Sequence, residues 1–294
     1  MKFLAVSGPG LGPEPVVWAV YRVDAGTITR LNAGATQVIP IPAGDTPGTY
    51  VQKMHGGAPL TISELQTQPS KGFPRIARPR INGGALPEEW TGGFTREMAS
   101  LQTQLGALTQ MLLEIFRVAE PAPRNLGTYG HEIRNLLLLA CTEVETQCRG
   151  ILRASHYPVP KPNRTDYVKL EVPLRLSAYE VTMPRFPELA VSRPFAGWAS
   201  GGTSLPWYDD YNAVKHNRED DFEKATLENA VNSLCGLAVV AQAQYGPRVI
   251  DMDLPAIFHI DLTSPWEPED WYFVDTDNVD SHEVKLSTVD YRFP

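Results

Sequence analysis

The residues best suited to chemistry lie together in the segment Tyr211–Arg218, which reads YNAVKHNR. Asn212 and His216 are four residues apart, so on a helix they share one face. A histidine beside an amide that can fix its tautomer can act as a general acid or base. Lys215 and Arg218, on adjoining faces, could hold a phosphate. We therefore expect either acid–base chemistry at a phosphate or a polar cluster with a purely structural role.

A second pair of charged residues lies on another predicted helix. Arg134 and Glu145 are eleven residues apart, so they fall on one helical stripe that is otherwise apolar. Two interpretations stay open: the charges form ion pairs that span the wall of a helix bundle, or they are held inside the bundle to bind a substrate. In the structural interpretation, the Tyr211–Arg218 segment packs against these two residues.

Several familiar sites lack essential residues. The chain has no phosphate-binding loop, no HExxH and no CxxC pair, and Gly8–Gly12 lacks the strand-to-helix context of a dinucleotide fingerprint. The segment Asp275–Asp280 resembles a calcium loop, but it has no central glycine and Leu286 occupies the position of the closing glutamate. We predict no metal and no cofactor.

Composition restricts the classes of protein further. The 294 residues are 43% hydrophobic and 20% charged, with a formal net charge of −8, which fits a folded chain without a general basic patch for duplex DNA. No apolar stretch is long enough for a transmembrane helix, and the apolar run at the N-terminus is too short for a signal peptide. The three cysteines fall on apolar helix faces, as buried free thiols do. These features predict a cytoplasmic protein.

Helical periodicity is strong in the middle of the chain. Apolar residues recur every three or four positions over Thr95–Glu120 and Thr128–Ser155. A third helix begins near Ser204, with Pro206 just inside it, and continues to a stop at Gly246. Acidic residues spread along its first half indicate a break near residues 217–221. The helices together predict a bundle.

Extended segments flank the helices. The pattern predicts strands over Val16–Val23 and Thr36–Pro42, and an edge strand over Val168–Leu176 with Tyr179–Met183 as its hairpin partner. Three further strands are predicted after Gly246: Ala256–Leu262, Trp271–Asp275 and Glu283–Tyr291. The expected fold class is α+β, with residues 1–93 as a β-rich segment or arm, 94–246 as a helical bundle with a β insertion at about 165–185, and 247–294 as strands packed on the bundle.

The segment Tyr211–His216 resembles the Arg-Asn-x-x-x-His motif that opens the last major helix of HEPN domains. The polar helix His131–Leu152 is similar to the first long helix of these bundles. The resemblance implies an all-α domain, of which many are metal-independent endoribonucleases that dimerise so that two motifs form one site. Asn212 and His216 match the motif, whereas Tyr211 stands where the family has arginine.

What the resemblance implies is an RNA-binding or metal-independent RNA-cleaving protein of the kind found in bacterial toxin and antiphage systems. His216 would be the acid or base, Asn212 would orient it, and Lys215 or Arg218 would bind the phosphate. Either Arg218 or Arg134 supplies the charge of the missing arginine, or the domain is not catalytic.

The remaining expected substrate contacts are Tyr211, Arg134 and Glu145, and the expected partners are RNA and a second copy or partner subunit. The alternative is a non-enzymatic assembly protein that docks through its Pro/Gly-rich N-terminal arm.

Overall fold

A computed structural model describes residues 1–9, 15–32, 37–56, 59–81, 96–251, 257–276 and 286–294. The chain forms two compact units. The first comprises Met1–Gly72, Arg78–Trp90 and Pro265–Val289; the second comprises Phe73–Ala77, Thr91–Ser264 and Asp290–Pro294. The first unit is built on a β-sheet and the second on helices, so the predicted α+β fold class is confirmed.

The first unit contains an antiparallel five-stranded sheet with the strand order β4-β3-β2-β1-β5. Helix α1 (Pro47–Met54) starts at Thr46, whose side chain forms a capping box with Thr49. A short parallel pair, β6 with β9, belongs to the same unit. Its strands are β1 (Lys2–Pro9), β2 (Pro15–Asp24), β3 (Thr27–Leu31), β4 (Val38–Pro40), β5 (Thr61–Glu64), β6 (Lys71–Gly72) and β9 (Ser287–Thr288).

Both faces of this sheet are covered by apolar side chains. Successive residues of a strand point to opposite faces, so Ala5 and Val20 join one core while Val6 and Tyr21 join the other. Val51 of α1 packs on the second core. The N-terminal segment therefore forms a folded sheet, with Phe273 in one of its cores, rather than an extended arm.

The second unit is a helical bundle with small additions. Its longest helices are α2 (Arg96–Phe116), α3 (His131–Ala154) and α8 (Leu227–Tyr245), and its shorter ones are α4 (Arg164–Tyr167), α5 (Glu171–Leu174), α6 (Pro206–His216), α7 (Arg218–Asp221) and α9 (Arg248–Asp251). Nearly every residue of α8 is buried, so α8 lies at the centre, packed against α2, α3 and α6. No helix in these described ranges is both long and apolar enough to cross a membrane.

The predicted features of the third helix are confirmed. Pro206 is in the first turn of α6, the helix breaks at Asn217, and α8 stops at Gly246, whose φ of +80° suits glycine. The break separates α6 from α7 and from the turn Phe222–Lys224 that leads to α8. As a result, Tyr211–His216 lies in the second half of a short helix and not at the start of a long one.

The predicted hairpin at 165–185 is wrong. Asn163 and Asp166 form a capping box that starts α4, and the chain stays helical through α5. Tyr167, Leu170 and Leu174 are buried, a spacing of three and four residues that fits one helical face. Val172, which an alternating strand would bury together with Leu170 and Leu174, is 63% exposed. In this region only β7 (Tyr179–Thr182) is a strand, and it pairs with β8 (His259–Leu262).

The C-terminal segment is also divided differently from the prediction. Residues Pro265–Val289 belong to the first unit, and only Asp290–Pro294 returns to the helical one. Within Trp271–Asp275 the structure has a single bridge, from Tyr272 to Arg80, in place of a strand. The predicted strand Ala256–Leu262 contains β8, and the predicted strand Glu283–Tyr291 contains β9. Residues 252–256 and 277–285 lie outside the described residues.

Arg75 holds the short segment Phe73–Ala77 on the helical bundle. Its Nε donates to Gln244 Oε1 at 2.9 Å and its Nη2 to Gln147 Oε1 at 2.7 Å. The guanidinium lies directly over Gly150 of α3, where a Cβ would be 2.1 Å from Arg75 Nη1. Glycine at 150 therefore allows a buried cation to be satisfied by two amides.

We predict that Gly150→Ala destabilises the helical unit by about 1–2 kcal/mol, because a methyl group displaces the Arg75 guanidinium and leaves buried amides unpaired. The matched control is Gly106→Ala on α2, where nothing lies within 4 Å of the new methyl group. That change should stabilise by up to about 1 kcal/mol through helix propensity. Denaturant unfolding followed by circular dichroism measures both; equal stabilisation by the two variants would contradict the prediction.

Candidate functional site

Helix α6 is fixed to the bundle at its first turn. Trp207 Nε1 donates to the carbonyl of Pro194 at 2.7 Å, and Asp209 accepts hydrogen bonds from Ser204 and Arg164. From there the chain runs back along α3, since Tyr208 meets Glu145 in the middle of α3 and Phe222 packs on His131 at its start. The helix thus presents its last turn at the bundle surface.

His216 is exposed in that last turn and has no hydrogen bond or ion pair with any residue that the structure describes. Asn212 is half-buried one turn earlier, and its Nδ2 donates to the carbonyl of Tyr208 at 2.9 Å. Asn212 therefore does not bond His216 here, and its amide oxygen remains available to accept a hydrogen bond. The structural alternative, in which the Tyr211–Arg218 segment is a polar cluster packed against Arg134 and Glu145, fits Tyr211 and Lys215, since Lys215 bonds Tyr211 and lies near Glu145. It does not extend to the His216 side chain, which has no hydrogen bond or ion pair among the described residues.

Tyr211, at the position of the motif's arginine, is buried, with 1% of its surface exposed. Its hydroxyl accepts a hydrogen bond from Lys215 Nζ at 2.8 Å, and the ammonium lies 4.9 Å from the ring centroid. This hydrogen bond is the largest influence on the pKa of Lys215, which is raised. Tyr211 thus positions a cation instead of facing a substrate itself.

Glu145 is the polar centre between α3 and α6. Its Oε1 accepts from the Tyr208 hydroxyl at 2.8 Å, and its Oε2 lies 3.4 Å from Arg149 Nη1. Burial, followed by this hydrogen bond to the carboxylate, raises the pKa of Tyr208 far above its usual range, so the phenol stays a neutral donor. The Glu145 carboxylate is consequently bonded from both helices.

Arg149 and Tyr167 belong to this cluster but were not identified from the sequence. Arg149 Nη1 donates to the Tyr167 hydroxyl at 3.1 Å, and Tyr167 donates in turn to the carbonyl of Pro162 at 2.9 Å. The position of Arg149 four residues after Glu145 is a spacing from which the contact could have been inferred. Tyr167 has no such signal, because it lies 18 residues after Arg149, just before the predicted strand Val168–Leu176.

The other predicted site residues lie apart from this cluster. Arg134 is half-buried with its Nε lacking a hydrogen-bond partner in the described part of the chain, and it is about 16 Å from Glu145 along α3. Arg218 is exposed at the start of α7. The structure therefore brings together Tyr211 with Lys215 and Glu145 with Tyr208, but it does not gather Arg134, Glu145 and His216 into one cleft.

The cysteines offer no nucleophile. Cys141, Cys148 and Cys235 are free and buried, as the sequence predicted. Burial raises the pKa of the Cys148 and Cys235 thiols to about 12, so both stay protonated. Among the described residues no group of three or more His, Cys, Asp or Glu side chains could hold a metal ion, and the calcium-like segment lies partly outside those residues.

We predict that Tyr208→Phe and Glu145→Ala each destabilise the helical unit by about 1–2 kcal/mol, with a coupling energy of about 1 kcal/mol in a double-mutant cycle, because each change removes one partner of the same hydrogen bond. Tyr129→Phe is the control, since the Tyr129 side chain is exposed and its hydroxyl has no hydrogen bond to a described residue. Urea unfolding measures all five chains: the parent, the two single variants, the double variant and the control. Additive effects of the two substitutions would show that this hydrogen bond does not join α3 and α6.

Comparison of the chain with models of known protein families, with curated proteins and with solved structures gives no match. A role for this site is therefore argued from its side chains.

Proposed function

We propose that this chain is a HEPN-like protein that binds RNA and cleaves it without a metal ion, with His216 as the reactive group. The observation that carries the proposal is the placement of His216. It is exposed at the end of α6, bonded to no described residue, and directly follows a lysine that Tyr211 holds in place. The exposed imidazole is therefore accessible to a ligand and is not held by a contact that the fold requires.

The charged residues around His216 favour binding of a phosphodiester on the side of Lys215 and oppose it on the side of α7. Lys215 and Arg218 have no carboxylate within ion-pair distance among the described residues. On the other side, α7 carries Glu219, Asp220 and Asp221, which would repel a polyanion. RNA would therefore approach from the α3 side of α6, where the ammonium of Lys215 lies.

Tyr211 accounts for the departure from the HEPN motif in this proposal. The motif's arginine would place a guanidinium at position 211, but the phenol there is buried and holds Lys215. Lys215 then supplies the positive charge that the family takes from arginine. This differs from the expectation from sequence, in which Arg218 or Arg134 was to replace it.

The chemistry follows from the groups available. His216 removes the proton of a ribose 2′-hydroxyl, whose oxygen forms a bond to the adjacent phosphorus while the bond to the 5′-oxygen breaks. The leaving oxygen takes up a proton from water, and His216 releases the proton that it removed to the resulting hydroxide, so the step is balanced and ends in a cyclic phosphate and a 5′-hydroxyl. Lys215 stabilises the charge on the phosphate during this step.

The test is incubation of the full chain with single-stranded RNA in EDTA. We expect cleavage that His216→Ala abolishes without changing the melting temperature, because substitution of an exposed residue usually alters stability by less than about 0.5 kcal/mol. His156→Ala is the matched control: its imidazole is 82% exposed and lies on another part of the same unit. RNA left intact by the unmodified chain, or cleaved equally well by the His216 variant, would refute the proposal.

The assembly alternative has its own observation in the first unit. Val16 and Trp18 lie two residues apart on β2, and their surfaces are 46% and 49% exposed. The Trp18 ring lies near Gly8, where an added Cβ would be 3.6 Å from it. Two exposed apolar side chains on one strand favour contact with a partner through the sheet and not through an extended arm.

If this surface mediates self-association, Trp18→Ser should shift the full chain to a smaller oligomer in size-exclusion chromatography with light scattering. Deletion of residues 1–90 is a poorer test of the same surface. It removes most of the first unit and leaves Pro265–Val289 without the strands that belong to the same unit. Val191→Ser is the control, because Val191 is 48% exposed in the helical unit. An unchanged mass for Trp18→Ser counts against self-association through β2.

A further inference from the structure

We infer that Arg149 and Lys215 together form a binding site for the phosphodiester backbone of RNA in the groove between α3 and α6. The inference rests on the proposed function and extends it. Arg149 becomes a second cation that binds the RNA backbone, and the bound strand then runs from His216 along the groove toward Arg149. Arg149 was in neither the motif nor the set of residues expected from the sequence.

The hydrogen bonds of Arg149 leave it able to bind an oxyanion. Its guanidinium contacts Tyr167 at 3.1 Å, Thr146 at 3.3 Å and Glu145 at 3.4 Å. A guanidinium usually bonds a carboxylate at about 2.7–2.9 Å, so the contact with Glu145 is long, and the other two acceptors are neutral hydroxyls that carry no charge to compensate the guanidinium. A phosphate oxygen can therefore form shorter bonds to Arg149 without displacing an optimal partner.

Two cations converge on this groove from opposite helices. Side chains of a helix point toward its N-terminus, so Lys215 reaches back to Tyr211 and Arg149 reaches back to Glu145. The pKa of Lys215 is raised mainly by its hydrogen bond with Tyr211, and the charges of Glu145 and Arg149 are near enough to influence it in opposite directions. The three charges together leave the groove with one excess positive charge.

The carboxylate in the groove lies beneath the cations. The Glu145 side chain is 15% exposed and that of Arg149 is 35% exposed, while Lys215 is exposed at the surface. One oxygen of Glu145 is covered by the Tyr208 hydroxyl. An approaching phosphate therefore meets the guanidinium and the ammonium before it meets the carboxylate.

The helical unit contains a second lysine–tyrosine pair, Lys169 with Tyr157, whose carboxylate environment differs from that of Lys215 with Tyr211. Lys169 Nζ donates to the Tyr157 hydroxyl at 3.0 Å and lies 5.3 Å from that ring centroid, close to the geometry of Lys215 and Tyr211. Tyr157, however, donates to Asp166 at 2.7 Å, which places a carboxylate beside Lys169. Asp166 forms no ion pair with another described cation and so compensates Lys169 alone, whereas Glu145, the carboxylate near Lys215, is shared with Arg149.

The experiment measures binding of a fluorescein-labelled single-stranded RNA to the full-length His216→Ala chain by anisotropy at several salt concentrations. Lys215→Gln and Arg149→Gln should each weaken binding roughly tenfold and lower the salt slope by about 0.7, the value for one lost phosphate contact. Lys169→Gln is the matched control and should leave both quantities unchanged. Lys215→Arg, which keeps the charge, should restore most of the affinity.

The outcomes separate this inference from the proposed function. If the unmodified chain cleaves RNA but Lys215→Gln and Arg149→Gln bind RNA as well as their parent does, the groove is not the phosphate site and the inference fails alone. If the chain binds RNA through these two residues but does not cleave it, the inference stands and the catalytic role of His216 falls. If Lys169→Gln loses as much RNA affinity as the other two variants, the loss reflects the net charge of the protein and not a specific site, and the inference is overturned.

Discussion

The half-buried carboxylate of Glu145 joins the two helices on which the site depends. It accepts a hydrogen bond from Tyr208 on α6 and lies within ion-pair distance of Arg149 on its own helix. A carboxylate in this environment is costly to bury unless it is bonded, and here both of its oxygens have partners. This requirement holds α6 against α3 at Tyr208, and together with the bonds of Trp207 and Asp209 it fixes the helix that carries the candidate residues Asn212–His216.

The buried side of α6 and its exposed side are coupled through Tyr211. The ring fills space in the bundle, while the hydroxyl holds the ammonium of Lys215 at the surface. A phenol can satisfy both demands because its body is apolar and its tip is polar. An arginine at the same position would bring a charged group into the packed interior, so the tyrosine moves the positive charge one helical turn along α6.

The break at Asn217 separates two surfaces of opposite charge. The last turn of α6 carries Lys215 and His216, and α7 carries three consecutive acidic residues, one of which pairs with Lys224. If α6 had continued as a straight helix, those carboxylates would lie one turn beyond His216 on the same axis. The break therefore takes the acidic residues out of line with the last turn of α6.

The sequence by itself determined the α+β class, the approximate extent of the long helices, the break after His216 and the burial of the cysteines, because each depends on local periodicity, proline and glycine positions or hydrophobicity. It could not determine the path of Val168–Leu176, since alternating apolar residues with a nearby capping box fit a strand and a helix equally well. Only the tertiary structure decided that Glu145 bonds Tyr208, that Tyr211 is buried beneath Lys215 and that Arg134 lies elsewhere. These contacts join residues far apart in the chain, and their geometry depends on how α3 and α6 pack, which local residue patterns do not specify.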